Sequence, residues 1–160
     1  MVPLPQLAVE EFCLKIIKVN ERLSIGPQPN LSDFSELRSR GNVSVINNRP
    51  DGEEPDQPTA DEASLSAKTA GLSYVHQPVT LGAITVGDVR QFQKAVMELA
   101  GPVFAHCRSG TRSLTLWALG EVLDGRLQPS EIIPFGKQFG IDLKAAAEWA
   151  ANHTRADGGK

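Results

Sequence analysis

Cysteine is scarce in this chain: two in 160 residues, Cys13 and Cys107. Two cysteines do not make a disulfide framework, and with three histidines in all they supply no metal site at ligand spacing. Neither a metal nor an organic cofactor is expected. Positive charge is also short, 16 Lys and Arg against 19 Asp and Glu for a net charge of −3, which removes the electrostatic basis for binding nucleic acid or an anionic membrane surface. No apolar run approaches the length of a membrane span. Residues 1–10 hold no basic stretch ahead of an apolar one, so the expected location is cytoplasmic. Internal repeats and low-complexity segments are missing. The Asn152-His153-Thr154 sequon carries no meaning in a chain that is not secreted.

What remains is the composition of an ordinary soluble domain, 41% hydrophobic and 22% charged, long enough to bury one core. The expected organisation is an irregular lead-in at 1–10, a single domain at 11–151 and a flexible tail at 152–160. Strands are predicted over Phe12 to Val19, Leu23 to Ile25, Val43 to Ile46, Leu72 to Val75 and Pro102 to Ala105. Helices are predicted from an N-cap at Ser32 to Gly41, over Asp61 to Ala70, from a cap at Thr85 or Asp88 to Leu99, and over Ser113 to Asp124. Ser130 to Phe135 and Leu143 to Ala151 read as two short closing helices. Strands alternating with helices give an α/β fold with a central, mostly parallel sheet and helices on both faces. The loops beyond the carboxyl ends of such strands gather on one rim, here Asn47 to Asp51, His76 to Thr80 and the segment after Ala105. The loop from Asn48 to Ala60, rich in Pro and acidic residues, is long enough to be functional or mobile.

Chemistry concentrates in His106-Cys107-Arg108-Ser109-Gly110-Thr111-Arg112. The segment lies between a buried strand and a helix whose Leu114, Leu116, Trp117, Ala118, Leu119, Val122 and Leu123 cover almost its whole circumference, the mark of a central helix. The N-terminus of a helix offers unpaired N–H groups and partial positive charge. Gly110 lets the backbone curl so that those N–H groups converge on an anion. A cysteine at the mouth of that nest, flanked by Arg108 and Arg112, is favoured as the thiolate and therefore as a nucleophile. Cys13 has no charged loop around it and reads as a small core residue.

The strand–HCxxGxR–helix arrangement resembles the cysteine phosphatases, both protein-tyrosine and dual-specificity types, and the rhodanese-type sulfurtransferases. Phosphatases place five residues between Cys and Arg. Here four stand between Cys107 and Arg112, and the Cys-Arg-Ser-Gly-x-Arg-Ser wording is similar to rhodanese sites. Together with LSIGPQP at 23–29, VSVINNRPDGEEP at 43–55 and YVHQPV at 74–79, the loop resembles the phosphatase-like domain of beta-lactamase-hydrolase-like proteins, a bacterial family also described as sulfurtransferases. That resemblance covers Leu23 to Gly125. It implies a dual-specificity-phosphatase-like fold carrying a rhodanese-like loop.

Two chemistries compete at such a loop. A phosphatase needs a nest wide enough for a phosphoryl group and a general acid for the leaving oxygen. Family members carry that acid as an Asp in the loop after the strand ending near Val75, and Gln77 to Thr85 contains no carboxylate. Asp88 beyond it reads as a helix cap, which leaves Asp51, Glu53 and Glu54 as substitutes from another loop. Sulfur transfer needs no acid, since sulfite or a thiolate leaves unaided. The first expectation is therefore a sulfurtransferase taking sulfur from thiosulfate or glutathione persulfide through Cys107 to a thiol acceptor, with enzymes of sulfide oxidation as partners. The alternatives are a cysteine phosphatase working through phosphocysteine and a non-catalytic anion-binding module. Cys107 is assigned as nucleophile, Arg112 as anion clamp, and Arg108, Ser109, Gly110 and Thr111 as the nest. His106 is expected to orient the loop, and Ser113 to tune the thiolate, cap the helix, or both. Arg108 attracts anions or is a solvated surface residue; Arg49 binds the far side of the anion or pairs with Asp51 or Glu53; His76 is structural.

Overall fold

The computed structural model describes residues 14–158, with side chains through His153. Its sheet has five strands: β1 (Ile17–Lys18), β2 (Leu23–Gly26), β3 (Ser44–Asn47), β4 (Ser73–His76) and β5 (Val103–His106). Their spatial order is β1-β2-β5-β3-β4, with β1 antiparallel to β2 and every other pair parallel. β5 is central and wholly buried, as an apolar run flanked by parallel neighbours should be. In register, Gly26, Asn47 and His106 stand side by side at the strand ends, with His76 beyond Asn47. That row is the rim from which the site is built.

Helices cover both faces. α1 (Phe34–Ser39) and α2 (Ala60–Thr69) pack Phe34, Leu37, Ala63 and Ala67 against Val45 and Phe104 on one side. α3 (Val86–Glu98), α4 (Thr111–Leu123), α5 (Ile132–Lys137) and α6 (Lys144–Gly158) cover the other, where Val103 and Ala105 of β5 face inward. Phe104 thus points opposite to its neighbours, the period-two alternation of a strand. α4 is buried around most of its circumference, including Ser113, Thr115 and Gly120, as the sequence implied. Gly120 leaves room for Gln93 of α3; a Cβ there would stand 2.7 Å from the Gln93 side-chain carbonyl carbon. No helix among the described residues is long and apolar enough to cross a membrane.

Several boundaries shift by a residue or two, among them β3, β4, β5 and the start of α4, which is Thr111 rather than Ser113, and three further differences stand out. Ser32 is not a helix cap: Leu31–Asp33 forms a 3-10 turn in which the Asp33 carboxylate accepts from the Asn30 N–H at 2.8 Å, and α1 starts only at Phe34. α6 continues to Gly158 instead of ending at Ala151, so the chain through 158 is helical rather than a tail; no glycine or proline interrupts 144–157. The first strand is reduced to Ile17–Lys18, and Phe12, Cys13 and the 1–10 lead-in lie outside the described residues. Thr85 and Asp88 act together: the Thr85 hydroxyl accepts from the Asp88 N–H to cap α3, and the Asp88 carboxylate accepts from the Thr85 N–H.

Candidate active site

β5 delivers Cys107 to the rim and α4 begins three residues later. Gly110 caps α4 at φ 102°, a left-handed conformation that favours glycine. The turn brings its N–H onto the Cys107 Sγ at 3.0 Å. Cys107 is only 1% exposed and lines a cleft of about 460 Å³. Arg108, Ser109, Thr111 and Arg112 form one wall, and Glu53 with Thr80, Leu81 and Gly82 the other. A slightly larger hollow of about 510 Å³, beside Lys18, Arg40 and Pro102, opens near the starts of the strands and holds no nucleophile.

The rim segments are stitched by backbone bonds. Asn48 N–H donates to the His106 carbonyl at 2.7 Å, Gln77 N–H to Asn47 at 2.8 Å, and Val79 N–H to Asn48 at 3.0 Å. On the other flank, Gln28 N–H donates to the Arg108 carbonyl at 3.2 Å. The loop following Asn48 is stapled by side chains. Gln57 accepts from the N–H groups of Glu53 and Glu54 and donates to the Pro50 carbonyl, while Asp51 accepts from the Ala60 N–H at the start of α2. The staples turn Glu53 and Glu54 towards the arginines.

Arg112 donates to both oxygens of Glu53, at 2.7 and 2.9 Å, and to the Val79 carbonyl at 3.1 Å. Arg49 donates to Glu53 at 2.9 Å, Glu54 at 2.8 Å and Gln28 at 3.2 Å, and Arg108 pairs with Glu54 at 3.2 Å. The hydrogen bond from Arg112, then that from Arg49, hold the Glu53 carboxyl down at about 2 despite an opposing desolvation effect. Glu54 is lowered as well, first by Arg49. Arg112 is pushed up, chiefly by Glu53 and also by the facing Cys107 sulfur. Three guanidiniums and two carboxylates thus gather beside the Cys107 sulfur.

Several sequence-assigned residues sit otherwise than expected. Ser113 neither caps α4, which Gly110 does, nor gives its proton to the sulfur; its hydroxyl donates to Asn48 Oδ1 at 2.8 Å, fully buried. Of the two roles open to Arg49, anion contact and pairing within its loop, the structure shows the pairing: it does not line the cleft, is 2% exposed, and its guanidinium is spent on Glu53, Glu54 and Gln28. Arg108 and Ser109 do line the cleft, as do Thr111 and Arg112. His106 is buried without exposure, and burial lowers its imidazole to about 4. It is therefore neutral at pH 7, and its Nδ1–H faces the Cys107 carbonyl at 3.2 Å. His76 Nε2 meets the Arg49 carbonyl at 2.8 Å. The sequence assigned no role to Gln28 and placed Asn48 on the rim without a role. Both lie inside the segments that carry the family resemblance, for Gln28 the one signal that pointed to it.

A cysteine at the N-terminus of a buried helix, on the carboxyl edge of a mostly parallel sheet, defines a domain of the cysteine-phosphatase type. A sequence profile described as the phosphatase-like domain of beta-lactamase hydrolase-like protein matches residues 15–124. The chain belongs to that family. It is 49% identical over 143 residues to a beta-lactamase hydrolase-like protein of Agrobacterium fabrum, covering 89% of this chain and 33% of that protein. A Xylella fastidiosa protein of the same description is 46% identical over 136 residues, 85% of this chain and 32% of its own length. The chain thus spans about a third of the length of these curated relatives. Among solved structures, a candidate phosphatase from Neisseria meningitidis superposes with a TM-score of 0.79 at 34% identity, covering 86% of this chain and 96% of that one. The core catalytic domain of a PP-IP phosphatase from S. cerevisiae shares the fold, with a TM-score of 0.66 at 18% identity over 84% and 82% of the two chains. Family and fold both support catalysis in general.

Proposed function

We propose that this domain transfers sulfane sulfur through a persulfide on Cys107. One observation carries the choice: among the described residues, the one carboxyl lining the cleft with Cys107 is Glu53, and it is ill suited to give up a proton. The carboxylate on the cleft wall, Glu53, is held ionised by Arg112 and Arg49. Asp51 is engaged with the start of α2, and the wall after β4 contributes Thr80, Leu81 and Gly82. Chemistry here must suit a leaving group that departs without a proton.

Thiosulfate and organic persulfides meet that condition. The Cys107 thiolate attacks the outer sulfur of thiosulfate, the S–S bond of the donor breaks, and its electron pair leaves with sulfite. The new Cys107 persulfide anion stays in the nest, where the Gly110 N–H already points at sulfur. A thiolate acceptor then attacks the terminal sulfur, forming its own persulfide and returning Cys107 as thiolate. Arg112 is assigned to the anionic donor, and the exposed Arg108 to drawing it in. His106 and Ser113 are assigned to positioning, through the Cys107 carbonyl and Asn48.

A second reading is a cysteine phosphatase, favoured by the 34% identical candidate phosphatase with the same fold. Intact-mass spectrometry after thiosulfate or glutathione persulfide, with Cys107→Ser alongside, separates the two. A gain of one sulfur on the wild type alone is the expected result. No adduct, together with hydrolysis of an aryl phosphate, would overturn sulfur transfer in favour of phosphoryl transfer.

A further inference from the structure

The residue assigned to clamp the substrate anion already holds one. Arg112 grips both oxygens of Glu53, and Glu53 Oε1 is shared with Arg49. Glu53 lines the same cleft as Cys107. It is not a loosely tethered surface acid: Gln57 receives its backbone N–H, Gly52 before it turns at φ 79°, and Arg49 anchors it from the buried side. Nor can protonation remove it near neutral pH, because its carboxyl titrates at about 2.

We infer that Glu53 is a resident competitor for Arg112, and that it sets the charge selectivity of the cleft. An incoming anion must displace one carboxylate from Arg112, after which Arg49 still holds Glu53. A dianion such as thiosulfate then meets the displaced carboxylate and the thiolate together. A monoanion with its charge further from the reacting sulfur meets less repulsion. Glu53 therefore biases the site against small dianions. Glu54, tied to Arg49 and Arg108, extends the same screen to the cleft mouth. This rests on the proposed use of Cys107 and Arg112 as an anion site, yet it is tested without turnover.

The probe is inorganic sulfate, read by its protection of Cys107 from iodoacetamide in wild type and Glu53→Gln, with nitrate as the monoanion. Removing one like charge a few ångströms from the bound dianion should tighten sulfate about tenfold, and nitrate by less. Equal, weaker or absent sulfate binding in Glu53→Gln would overturn the inference and make Glu53 a residue that merely orients Arg112. The wild type supplies a measurement independent of any substitution. With carboxyl-labelled glutamate, NMR should show the Glu53 titration moving from about 2 towards the ordinary carboxylate range as sulfate saturates the site. An unmoved titration at saturation refutes displacement. Persulfide formation on Cys107, measured separately, decides the transfer reading whatever the fate of this one.

Discussion

Acid should unfold this protein first through His106. The side chain is fully buried next to Cys107, and burial depresses its imidazole from 6.5 to about 4. Below pH 6.5 the unfolded chain takes up a proton that the folded chain refuses, so stability falls as pH falls, down to about pH 4 where the folded state also protonates. A difference of some 2.5 units at 1.36 kcal/mol each amounts to about 3 kcal/mol over the whole window. Against a typical domain stability of roughly 5–15 kcal/mol, that is a large fraction. The assay is urea denaturation of wild type and His106→Asn at several pH values between 7.5 and 4.5. Asn keeps a donor for the Cys107 carbonyl but does not titrate. Wild type should lose roughly 2–3 kcal/mol more than the variant across that range. Parallel curves would refute the account, and with it the assignment of His106 as a neutral positioning group.

Two further substitutions test the nest itself. Gly110→Ala places a side chain at φ 102°, which should cost about 1–2 kcal/mol and slow Cys107 alkylation by withdrawing the N–H from Sγ; an unchanged alkylation rate would count against the nest. Gly26→Ala drives a Cβ against the Lys15 carbonyl and within 2.9 Å of the Phe104 ring, so a loss of about 1–3 kcal/mol in urea is expected. Full stability in that variant would show that β2 does not need its close approach to Lys15 and Phe104.

The sequence disclosed whatever is local. The buried strand Val103–His106, the turn at Gly110 and the all-round apolar α4 are encoded within about twenty consecutive residues, and the structure has each of them. The alternating pattern likewise led to a mostly parallel sheet and to the correct rim. Electrostatics across that rim was less legible, because its partners are remote. Glu53 and Arg112 are separated by 59 positions, Ser113 and Asn48 by 65, and Arg49 and Gln28 by 21. Composition gives an acidic loop and a basic loop, but only the staples from Gln57 and the turn at Gly52 decide that Glu53 faces Arg112 rather than solvent. Ser113 was misassigned for the same reason. Its neighbours in sequence suggested the sulfur and the helix start, whereas its buried hydroxyl answers to Asn48 on the adjacent strand's loop. The absence of an acid after β4 could be read directly, and it acquires its full weight only from the structure. Glu53, the carboxylate placed to substitute for it, is the one whose surroundings keep it ionised. One contact thus keeps Glu53 ionised and occupies Arg112, and under the proposed sulfur transfer the substrate has to bring a good leaving group and outcompete a tethered carboxylate.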